Sequence, residues 1–124
     1  GYQDIEMLLN LSDKLALLNC NLVEILAESS KTYLGLYLDR KIMFEGFKLN
    51  YHSDVNSLAK REELATKVIE DTKRKEIEAE VELLFLKEKR RAIEKVLQSV
   101  QQRISYLKQE KNRMNISNNQ ENQR

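Results

Sequence analysis

The chain has 124 residues, no proline, three glycines and 33% charged residues, a composition that favours long uninterrupted helices over a mixed fold. Lysine and arginine number 21 against 20 aspartates and glutamates, which leaves no global field to draw the chain to nucleic acid or to an acidic surface. No window nears the roughly eighteen apolar residues of a membrane span. Asp4, Glu6, Asp13 and Lys14 stand where a signal sequence needs an apolar centre, so the expectation is a cytoplasmic protein without membrane association.

Ile5, Leu8, Leu11, Leu15, Leu18, Leu22 and Ile25 recur in alternating steps of three and four, the spacing of a coiled-coil seam. This predicts a first helix over about residues 4–49. The polar run from Glu28 to Thr32 interrupts the seam, and Tyr33, Tyr37, Phe44 and Phe47 resume an apolar stripe around Arg40, a phase shift like a stutter. Gly35 and Gly46 each cost about 1 kcal/mol relative to alanine, too little to end so strongly patterned a helix.

Turn formers and cap candidates gather at residues 50–54, around His52, with Ser53 or Asp54 placed to accept from the first free amides of a second helix. That helix is expected over residues 55–114. Leu58, Ala65, Ile69, Ala79, Leu83, Leu86, Ile93, Leu97, Val100, Ile104 and Leu107 share one heptad frame, in which Thr72, Glu76 and Arg90 also fall. The pattern allows a kink or break between Asp71 and Lys75. Residues 115–124 are almost all polar and offer little apolar surface to offset the entropy of ordering, which predicts a disordered tail.

The fold class expected is all-α: a long antiparallel helical hairpin of coiled-coil type. Leu9, Leu17, Val23, Leu26, Leu34, Leu38 and Ile42 lie off the main seam of the first helix and need a further partner. A homodimer forming a four-helix bundle, or a larger assembly, supplies one, with these residues at the interface between copies. A bend at His52 would place Arg90 near Asp13 and Arg40 near Glu62 or Glu63, so that seam charges meet opposite signs.

Little in the sequence carries chemistry. One histidine and one cysteine, with no metal-ligand spacing and no glycine-rich phosphate loop, give no catalytic, cofactor-binding or metal residues. His52 reads as an ordinary turn residue. Cys20 has no partner for an intrachain disulfide and fits a reducing compartment as a small hydrophobe in an apolar stretch. Glu76, Glu78, Glu80 and Glu82 form an acidic band that lacks the Glu-x-x-His pattern of di-metal bundles and reads as a solvated face. The basic residues Lys73, Arg74, Lys75, Lys87, Lys89, Arg91, Lys108, Lys111 and Arg113 are candidate nucleic-acid contacts, though glutamates are interleaved with them and no aromatic platform accompanies them.

The runs Ser30-Lys31-Thr32-Tyr33-Leu34 to Arg40-Lys41, Ser57-Leu58-Ala59-Lys60-Arg61-Glu62, Gln98-Ser99 and Ser105-Tyr106-Leu107-Lys108-Gln109-Glu110 resemble a family of small helical proteins of tailed bacteriophages. The resemblance spans Leu11 to Glu110 at the level of pattern. Such proteins are encoded among replication and recombination genes, beside single-strand annealing or binding proteins, and lack an assigned catalytic activity. The resemblance therefore implies an accessory role in phage DNA replication or recombination, in the host cytoplasm, and carries over no functional residue. The function expected is a non-catalytic homo-oligomeric scaffold or adaptor with a protein partner. The alternatives are a nucleic-acid-binding protein whose basic clusters align in the oligomer, and an inhibitor of a host enzyme or defence complex.

Overall fold

The computed structural model describes the secondary structure of residues 2–50 and 58–122, and the side chains of residues 3–48 and 59–119. Three helices account for them: α1 (Tyr2–Asn50), α2 (Leu58–Val68) and α3 (Glu70–Asn122). No strand occurs among the described residues. The expected all-α fold, a long helix pair of hairpin type, is the fold found.

The helices follow from local chemistry. Neither proline nor a left-handed residue interrupts the described backbone, so each helix, once nucleated, propagates at about one hydrogen bond per residue fixed. Ile69 separates α2 from α3, yet its amide donates to the Ala65 carbonyl at 3.2 Å and its carbonyl accepts from the Lys73 amide at 2.8 Å. The helical ladder thus continues across the junction.

Packing divides the chain into two units, one of residues 1–23 with 88–124 and one of residues 24–87. In the first, Leu22, Val100 and Ile104 are buried, and Ile5, Leu8, Leu15, Ile93, Leu97 and Leu107 are half-buried. In the second, Leu26, Ala65, Ile69, Ala79 and Leu83 are buried, with Tyr33, Leu36, Phe44 and Phe47 half-buried. In both units the covered side chains of α1 recur at heptad spacing, and so do those of the later helices. Burial of this stripe is the main source of stability, because isolated helices gain little from propensity alone.

From Ala65 on, the seam expected for α2 and α3 is the seam observed, whereas in α1 three of the expected positions move over by one residue. Leu11, Leu18 and Ile25 are exposed, and Ser12, Asn19 and Leu26 take the covered positions beside Ile5, Leu8, Leu15 and Leu22. Counted in sevens, Ile5, Ser12, Asn19, Leu26, Tyr33, Arg40 and Phe47 are all buried or half-buried, so the frame needs no stutter after Ala27.

α1 is described as far as Asn50, and the interruption in the second arm falls at Ile69 rather than between Asp71 and Lys75. Residues 51–54 of the expected turn lie outside the described residues. Where a disordered tail was expected from Asn115, α3 continues through Ile116 to Asn122. No glycine or proline stops it, and extending an established helix costs far less than starting one.

Candidate functional site

The most specific polar arrangement among the described residues lies inside the seam of the second unit. Arg40 of α1 and Glu76 of α3 form a two-pronged ion pair: Arg40 Nε donates to Glu76 Oε2, and Nη2 donates to Oε1 at 3.2 Å. Both residues occupy heptad positions where an apolar side chain is usual. Glu76 is the single charged residue buried among the described ones. The hydrogen bond from Arg40 to Glu76, supported by the carboxylate's charge, holds the guanidinium protonated even beyond its usual range.

Aromatic rings surround the pair. The Arg40 guanidinium lies 5.4 Å from the centre of the Tyr37 ring, whose other contacts are Lys41 Nζ at 4.8 Å and the tilted Tyr33 ring at 6.5 Å. Burial, reinforced by the charges of Glu80 and Glu76, pushes the Tyr33 phenol above its ordinary pKa. Nearer the end of α1, Lys48 Nζ lies 3.7 Å from Glu62 on α2 and 4.9 Å from the centre of the Phe44 ring.

This geometry fixes register. Expected to meet Glu62 or Glu63, Arg40 instead meets Glu76, and Met43 Sδ accepts from the Thr72 hydroxyl at 3.7 Å. The pairing is therefore displaced by about three helical turns from the one centred on His52. Apolar heptads are nearly degenerate under such shifts, whereas a bidentate charged pair tolerates one alignment. Arg90 likewise departs from expectation. Its partner is not Asp13 but Glu94 on its own helix, Nε to Oε1 at 3.0 Å, in an orientation that makes an ion pair without a hydrogen bond. The expected pairing assumed a bend at His52, which lies outside the described residues.

The residues expected at an interface between copies are mostly open to solvent. Leu9, Leu17 and Val23 in the first unit, and Leu34, Leu38 and Ile42 in the second, are exposed. Leu26 is buried in the chain's own seam and is unavailable to another copy. The sequence reading missed a second exposed apolar stripe, Ile77, Val81, Leu84 and Phe85 on α3. Its spacing of four, three and one residues was available as a signal, but glutamates at every second position masked it.

Lys73, Arg74, Lys75 and Lys87 in the second unit, and Lys89, Arg91, Lys108, Lys111 and Arg113 in the first, are all exposed and spread around α3 rather than aligned on one face. Lys75 pairs with Asp71 at 3.5 Å and Arg91 with Glu88 at 3.0 Å, both along the helix. Cys20, expected in an apolar setting, is exposed. His52 lies outside the described residues, and among those described no three metal-ligating side chains converge. No described helix is long and apolar enough to cross a membrane.

Fold and site together define a helical hairpin of coiled-coil type in which Arg40 and Glu76 form a two-pronged charged pair within the seam. Comparison with protein-family models, curated proteins and solved structures finds no match.

Proposed function

We propose that the chain is a non-catalytic, self-associating coiled-coil scaffold or adaptor, which works by holding protein partners at fixed separations. The observation that carries this reading is the amount of large apolar surface left outside the seam, on α1 at Leu34, Leu38 and Ile42 and on α3 at Ile77, Val81, Leu84 and Phe85. Water-facing side chains of this size, repeating at helical spacing, form stripes rather than scattered single residues, and such stripes mark association surfaces. Burying what remains exposed of each leucine or isoleucine against another copy would contribute roughly 1–2 kcal/mol before the cost of association.

A bundle built this way displays each polar helix face more than once, and multivalent contact raises apparent affinity without any chemical step. The phage resemblance adds a setting, accessory work in DNA replication or recombination. Light scattering on the purified chain at micromolar concentration tests the reading. A mass of twice the chain or more is expected, and a strictly monomeric mass would overturn it.

A further inference from the structure

The exposed stripe on α1 is nearly symmetrical in its chemistry about Leu38. Leu34 and Ile42 stand four residues to either side of it, and Lys31 and Glu45 stand seven to either side, all on the outer face and all exposed. Leu34 and Leu38 are each 54% exposed and Ile42 is 69% exposed, so the hairpin's own packing leaves most of this surface open. Gly35 lies on the same face, and a Cβ placed there would meet nothing within 4 Å. A glycine in mid-helix costs about 1 kcal/mol relative to alanine, and the missing Cβ leaves room on this face for a close neighbour.

We propose that this face pairs with the same face of a second copy, α1 antiparallel to α1 about a two-fold axis at Leu38. The proposal rests on the self-association reading and specifies its geometry. In that arrangement Leu38 meets Leu38 of the second copy, Leu34 meets Ile42, and Lys31 meets Glu45 on both sides. A parallel pairing would set lysine against lysine and glutamate against glutamate, so charge selects the antiparallel form. Of the other cations of this stretch, Arg40 is held by Glu76 in the seam and Lys41 lies over the Tyr37 ring. Isologous contacts of this kind close on themselves as two-fold dimers, the commonest symmetric assembly.

The α3 stripe is less suited to self-pairing. Glu78 stands among Ile77, Val81 and Leu84, and antiparallel pairing about Val81 would press that carboxylate against leucine.

The test combines a disulfide trap with charge reversal in a Cys20→Ser background, so that no native thiol competes. Leu38→Cys should oxidise almost completely to a covalent dimer. Lys31→Glu should weaken the dimer about five- to tenfold, and Lys31→Glu with Glu45→Lys should restore it. Leu38→Glu should dissociate the dimer while Val81→Glu leaves it intact. If the protein is dimeric but Leu38→Cys stays uncrosslinked, or Val81→Glu is the variant that dissociates it, the assigned face is wrong and self-association stands. A monomeric parent overturns both.

Discussion

Replacing Arg40 by leucine tests what the charged pair contributes. It leaves the Glu76 carboxylate, whose side chain is 9% exposed, without its cation, while Arg40 itself keeps 24% of its side chain in water. Breaking a fully buried pair costs about 3–5 kcal/mol and an exposed pair at most about 1. This partly covered pair lies between, at about 2 kcal/mol, which corresponds to a fall in Tm of about 8 °C for a chain of this size. Replacing both residues by leucine should return stability to within about 1 kcal/mol of the parent, since two apolar side chains at seam positions need no partner charge.

The assay is urea unfolding followed by helical circular dichroism at one protein concentration, because association adds to apparent stability. Register can be read separately with Met43→Cys and Thr72→Cys in the Cys20→Ser background, as Met43 and Thr72 are in contact. The disulfide should form readily when the pair is intact, and less completely in the double-leucine variant, whose alignment has lost its lock. A single Arg40→Leu variant as stable as the parent, or a double variant that keeps full crosslinking, would refute the argument.

Asn19 Oδ1 is buried in the first unit without a hydrogen-bond partner, so Asn19→Leu should raise stability by about 1 kcal/mol in the same unfolding assay. Gly46 has nothing within 4 Å of the place a Cβ would take, so Gly46→Ala should stabilise by roughly 0.5–1 kcal/mol, readable as a higher Tm. The raised pKa of Tyr33 means that the folded state favours the neutral phenol. Its contribution is complete below the pH at which a free phenol ionises and is lost as pH rises through the higher folded pKa. Ultraviolet titration should show a late-ionising tyrosine signal that Tyr33→Phe removes.

The seam of the second arm was legible, because Ala65, Ile69, Ala79, Leu83, Val100 and Ile104 share one frame running through both helices, whereas the stripe at Ile77, Val81, Leu84 and Phe85 is confined to a short stretch and was missed. The first arm offers two frames a residue apart. Counting apolar side chains favours Leu11, Leu18 and Ile25, yet the frame through Ser12, Asn19 and Leu26 is the one that continues into Tyr33, Arg40 and Phe47. Continuity along a single helix outweighs the local leucine count. The charged pair was foreseen as a kind of contact, with Arg40 in it, but its acidic partner was not. A heptad pattern repeats, so it cannot by itself state which heptad faces which, and that choice waits on a contact with only one solution.

The Arg40–Glu76 lock also constrains how such a chain can change length. Seven residues added to one arm between the lock and the bend would keep every side chain on its face but draw the arginine away from its carboxylate. Matched additions of seven to both arms preserve the alignment on either side of it. Growth and shrinkage are thereby quantised and coupled, two arms at a time, with the buried charged contact serving as the ruler.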